Sequence, residues 1–194
     1  MKDVHYCLML LTNEFPTNTV IENALEPYNG ETWWRKYEET NDDSNRPLFT
    51  WDWWQVGGRY NGILKLKMDR EDETSDYRWM FLAREPRAGR LYRSYLLERM
   101  CELEKPIFCE DQYLRSMGAR EGYIYVDGGK IADILNFADE YTSCCYAIDQ
   151  DGNAYAREYW NGSNWVDDPV FEDKIKAVCE NKADGYVVFI DLHD

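Results

Sequence analysis

Histidine is almost missing from this 194-residue chain: only His5 and His193 occur, one near each end. Imidazole chemistry is therefore confined to two positions. Basic residues are also scarce, with 22 Lys and Arg against 37 Asp and Glu and a formal net charge of −15. A surface of that sign opposes direct binding of nucleic acid, which draws on clustered Lys and Arg. No apolar run approaches the ~20 residues of a membrane-spanning helix. The opening "MKDVHYCLMLLTN" has neither the basic region nor the small-residue cleavage site of a secretory leader. The six cysteines include no CxxC pair, so reduced and mostly buried thiols are expected, in the host cell cytoplasm. There is no GxSxG elbow and no GxxxxGK frame, and "DGGK" at 127–130 does not supply one. No pair of carboxylates has a spacing that marks a glycosidase. These absences lead to an expectation of no catalytic residues, no metal, no cofactor and no membrane partner.

What is present supports a packed core: 44% of residues are hydrophobic and 15% aromatic. One domain spanning 1–194 is expected. Residues 3–12 run apolar and read as an interior strand. In "FPTNTVIENALEPYNG", Thr17 or Asn18 can cap a helix that Pro27 and Gly30 end. Residues 31–47 are polar, with "ETNDDSNRP" at 39–47 reading as an exposed loop. "GILKLKMD" alternates as a half-buried strand, with "YRWMFLARE" as its hairpin partner. Helical spacing recurs over 91–104, and a shorter helix is expected near 110–118. "YIYVDGGKIAD" and "CYAIDQDGNAYAREYW" each carry a DG turn signal between strand-like runs. Asp168 and Pro169 start a last helix before the closing strand 186–193.

The outer elements follow the order β-α-β-β-α-β. The expected class is α+β, a ferredoxin-like antiparallel sheet with residues 85–143 as a large central insertion. Which hairpin supplies the central strands stays open. In that topology the first and last strands lie side by side and antiparallel, which brings His5 and His193 to one edge.

The stretch "WDWWQVGGRYNG", residues 51–62, concentrates candidate site residues. Gly57 and Gly58 permit positive φ and close backbone approach. Arg59 offers a fork to a phosphate or carboxylate. Trp53 and Trp54, with Tyr60 beside them, are surfaces for stacking a base. In a strand Trp51 and Trp53 share one face and Trp54 takes the other. The same residues would also suit a glycine bulge between strands, with the tryptophans in the core. Asp191 and His193, two apart in a strand, point to one face, as an imidazole and its orienting carboxylate do. They would equally suit a solvated chain end. Arg84, Arg87, Arg90, Arg93 and Arg99 add local positive charge between acidic stretches.

Asp52, Trp53, Trp54, Val56, Gly57, Gly58, Arg59, Tyr60 and Gly62 resemble a D-W-[YW]-x-[IV]-G-G-R-[WY]-x-G signature of uncharacterised bacteriophage and prophage proteins. "LMLLTNEFPTNTVIENALEPY", "CYAIDQDGNAY" and the terminal Asp191-Leu192-His193 are similar to other parts of that family. Residues 31–47 and 66–120 carry no such likeness. The resemblance implies a viral setting and no particular activity. Taken together, these features lead to the expectation of a phage-encoded anti-defence protein that binds and sequesters a small nucleotide-derived anion through Trp53, Trp54, Gly57, Gly58, Arg59, Tyr60, His5, Asp191 and His193. The alternatives are an acidic inhibitor of a basic host defence protein, such as a CRISPR-type nuclease, and an enzyme that cleaves a nucleotide.

Overall fold

A computed structural model describes residues 4–41, 46–67, 98, 100–102, 106–109, 111–134, 144–181 and 184–194. At its centre the first and last strands pair antiparallel over their full lengths, as expected. β1 (His5–Thr12) lies against the closing strand, Tyr186–His193, with His5 opposite His193 and Thr12 opposite Tyr186. Both strands are apolar on both faces because both faces are covered. Cys7, Met9, Leu11, Val187 and Phe189 enter one core; Leu8, Leu10, Val188, Ile190 and Leu192 enter the other. Helix α1 (Asn18–Leu25), capped by Thr17, supplies Ile21 and Leu25 to the second core.

Among the described residues the remaining strands in chain order are β2 (Trp53–Val56), β3 (Leu64–Lys67), β4 (Ile107–Phe108), β5 (Tyr123–Lys130), β6 (Tyr146–Ile148), β7 (Ala154–Ala156), β8 (Glu158–Trp160) and β9 (Trp165–Asp167), with the closing strand as β10. Eight of them form one sheet in the order β3-β5-β10-β1-β6-β7, with β2 also on β10 and β4 also on β5. β8 and β9 form a separate hairpin. Since β1 fills one edge of β10, its other edge is shared: β5 pairs with Tyr186–Val188 and β2 with Ile190–His193.

The class is α+β, but the sheet is mixed where an antiparallel one was expected. β6 lies directly beside β1 and runs parallel to it, and β7 returns antiparallel through a turn at Gly152, φ +82°. A ferredoxin-like order is therefore not confirmed. Alternation and a DG turn specify that 146–156 is a hairpin; they do not specify which strand docks on β1 or in which direction. β4 and β5 fall within residues 85–143, expected as an insertion, and are hydrogen-bonded into the same sheet.

Two local expectations are corrected. The DG at Asp127–Gly128 is no turn: β5 runs straight through it, with Gly128 and Gly129 opposite Val188 and Val187. A Cβ on Gly128 would sit 2.7 Å from the Val187 carbonyl oxygen, so glycine here serves close strand approach. Residues 30–40, of which only 39 and 40 fall in the expected loop and the rest carry no expected element, form helix α2 (Gly30–Thr40). Asn29 caps it by accepting from the Thr32 N–H at 3.0 Å, and Trp33 stacks on Tyr37 one turn later. The aromatic spacing outweighed the polar composition. Helix α3 (Gln112–Glu121) and helix α4 (Phe171–Asn181) match expectation; α4 places Phe171 and Ile175 in the first core. The partner strand expected over "YRWMFLARE", the arginines 84–93 and most of the helix expected over 91–104 lie outside the described residues. The described partner of β3 is β5.

Candidate functional site at the His5–His193 end of the sheet

The site follows from the strand register. On the first face, His5, His193 and Trp53 stand in one row across β1, β10 and β2, with Cys7, Asp191 and Gln55 in the row below. The two imidazole centroids are 5.1 Å apart at 73°. Trp53 lies 6.3 Å from His193 and 6.5 Å from His5, edge-on to both.

Each imidazole is held by a carboxylate, and the pairing crosses the sequence order. Asp191 bonds His5 across the strands, Nδ1 to Oδ1 at 2.7 Å. His193 instead meets Asp52 Oδ1 through its Nδ1, also at 2.7 Å. A carboxylate in its ionised form accepts and cannot donate, so opposite it each ring carries the shared proton on Nδ1. The pairs differ in environment. The side chain of Asp191 is 2% exposed and that of Asp52 is 64% exposed. The buried charge of Asp191 is offset on its second oxygen by the backbone N–H of Arg59, at 2.9 Å.

The paired glycine belongs to this arrangement. Gly57 and Gly58 have φ of +69° and +53°, and the chain then makes a 3-10 turn over Gly58–Tyr60. A Cβ on Gly58 would sit 2.5 Å from Asp191, and one on Gly57 would collide with the Asp127 carboxylate. Asp127 is fully buried and accepts from the Gly62 N–H at 2.7 Å. The backbone cradle expected for an external anion thus holds two internal carboxyl groups, those of Asp191 and Asp127.

The other candidates divide. Arg59 is exposed at the rim while its N–H points inward. The Tyr60 hydroxyl donates to the His5 carbonyl at 3.2 Å, and burial pushes its pKa up to about 12, so it stays neutral. Trp54 lies on the opposite face, buried in the second core, and takes no part in this row. Trp51 joins it there instead of siding with Trp53, because the backbone bends at Asp52 before β2 begins; its indole N–H donates to the Leu25 carbonyl at 2.8 Å. Asp52 and Asp127 are members of this arrangement that sequence reading missed. Asp52 opens the box, and Asp127 precedes a glycine pair, but the register alone reveals their partners.

The buried thiols of Cys7 and Cys144 do not offer a nucleophile. Burial raises the Cys7 pKa far above its ordinary value, and that of Cys144 to about 12. Among the described residues, no group of three or more His, Cys, Asp or Glu is arranged to hold a metal ion. No described helix is long and apolar enough to cross a membrane. The arrangement can therefore do two things: bind an anion against the paired imidazoles beside an indole, and exchange protons with a bound group through those imidazoles.

Compared with protein-family models, with curated proteins and with solved structures, the chain finds no match.

Proposed function

We propose that this protein binds a small, anionic, nucleotide-derived ligand at the His5–His193 end of the sheet and, in a phage setting, withdraws such a signal from host defence. The observation that carries the reading is the row Trp53–His193–His5, in which an indole edge adjoins two imidazoles whose centroids are 5.1 Å apart. Trp53 supplies a stacking surface, and Arg59 at the rim supplies a fixed cation. The phage setting is supported by the signature resemblance at residues 52–62. The net charge of −15 favours a small ligand over a polymer, since a local cationic site survives on an acidic surface where a long phosphate track does not.

A second reading, an acidic inhibitor of a basic host protein, rests on that same net charge. Native mass spectrometry of protein purified from phage-infected cells separates the two. A retained nucleotide-sized mass, lost in Trp53→Ala, supports the ligand reading. A retained host protein with no small molecule supports the inhibitor and removes the ligand reading.

A further inference from the structure

We propose that His5 and His193 are an acid–base couple that cleaves a ribonucleotide phosphodiester by internal attack of its 2′-hydroxyl. This rests on the ligand reading above and adds a reaction to it. The geometry that carries it is the pair of imidazoles side by side on one face of β1 and β10, centroids 5.1 Å apart in an edge contact at 73°, each held at Nδ1 by its own carboxylate. Sequestration alone needs one cation near a phosphate. Two separately oriented imidazoles at one phosphate are the requirement of a reaction that removes one proton and delivers another.

The two environments assign the roles. His5 sits on buried Asp191, whose second oxygen is fixed by the Arg59 N–H. That carboxylate stabilises the imidazolium formed when His5 takes a proton, so His5 is the base. His193 sits on exposed Asp52 and is the more accessible ring, 27% exposed against 11% for His5. It recharges from solvent and is the acid. In the step, His5 Nε2 takes the proton of the 2′-hydroxyl as the 2′-oxygen forms a bond to phosphorus. The bond from phosphorus to the 5′-oxygen breaks, its electron pair stays on that oxygen, and His193 Nε2–H protonates it. The products are a 2′,3′-cyclic phosphate and a free 5′-hydroxyl. Neither water nor a redox partner enters, and solvent returns each histidine to its starting state. Trp53, edge-on to both rings, is placed to stack one base. Asp191 and Asp52 are positioning residues.

The test uses the full-length protein with uridylyl-3′,5′-adenosine in buffer containing EDTA, with products read by mass spectrometry. The expected result is uridine 2′,3′-cyclic phosphate and adenosine, with a bell-shaped pH profile. His193→Gln should lose about 10²–10⁴-fold in rate. It is the more exposed of the two, so its fold is checked by melting, and His5→Gln serves as the second variant. Asp52→Asn should slow the reaction and displace one limb of the pH profile. The 2′-deoxy analogue should quench tryptophan fluorescence on binding yet stay intact. Binding of the analogue with no cleavage of the ribo-dinucleotide overturns the catalytic proposal and leaves the ligand reading standing; neither binding nor cleavage removes both. Cleavage that persists in both histidine variants, or that extends to the deoxy analogue, also overturns the proposal.

Discussion

Asp191 stands two residues from His193 in sequence, yet its carboxylate holds His5, 186 positions away, at 2.7 Å. Adjacent strands place directly opposite and diagonal same-face residues within reach of each other. His193 is left to Asp52, just ahead of the neighbouring strand β2. The two dyads tie β1, β2 and β10 together at one end of the sheet.

That difference in burial yields a stability contrast. Asp191→Ala removes an acceptor shared by His5 and the Arg59 N–H, and charge-assisted hydrogen bonds of this kind are worth about 1.5–3 kcal/mol each. Chemical denaturation should show a loss of at least that size. Asp52→Ala, on the exposed pair, should stay within about 0.5 kcal/mol of the parent. Equal losses would mean that burial does not distinguish the dyads.

The glycines separate backbone strain from collision. Gly152→Ala, at φ +82° with open space around it, should cost ~1–2 kcal/mol for the left-handed conformation alone. Gly58→Ala meets the same conformational penalty and also the Asp191 side chain, adding roughly 1–3 kcal/mol of overpacking. Melting curves of the two variants, measured side by side, should keep that order.

Trp53 and Trp54 should part company. Trp54→Ala empties a buried site in the second core and should cost roughly 3–5 kcal/mol of folding free energy. Trp53→Ala should cost far less and weaken nucleotide binding. Arg59→Lys keeps the backbone N–H to Asp191, so stability should hold while affinity falls about tenfold or more through loss of the fork. A lower melting temperature for Arg59→Lys with binding unchanged would make the box structural.

The turn after β6 should be acid-sensitive. Burial raises the Asp149 pKa, but hydrogen bonds from Asn153, Tyr155 and Asp151 outweigh it and hold the carboxyl below its ordinary value. A depressed folded value means stability that is present above the unfolded pKa of about 3.9 and lost as pH falls through the folded one. Tyr155 is shifted the other way, by burial first and then by Asp149, to about 12. Its contribution is complete below the unfolded value of about 10 and lost as pH rises toward 12. Asp149→Asn should therefore flatten the acid limb of stability against pH and lower the apparent pKa of Tyr155, readable by absorbance.

Thiol reactivity should follow burial. Cys7, Cys109 and Cys144 are buried while Cys101 and Cys145 are partly accessible, and all five are free. Alkylation under native conditions, followed by mass, should label Cys101 and Cys145 first. Denatured, non-reduced protein should take up six labels; the side chain of Cys179 lies outside the described residues.

What the sequence determined by itself was local. The doubly apolar runs at 5–12 and 186–193 required strands buried on both faces, and Thr17, Asp168 and the turn at Asp151–Gly152 marked boundaries that depend on neighbouring backbone alone. The antiparallel contact of the end strands, and with it the meeting of His5 and His193, was expected from a ferredoxin-like order; the contact is present, but the sheet around it has a different order. What only the tertiary structure decided was partnership. Asp127–Gly128 has the composition of a turn, but Gly62 and Val188 hold it in a strand. Gly57 and Gly58 are compatible with an external anion until Asp127 and Asp191 arrive from 70 and 133 residues further along the chain to fill the space. β6 could have faced β1 in either direction until both cores closed. Hydrogen-bond partners and strand direction are set by sheet register, and register is a property of two segments at once, which neither segment carries alone.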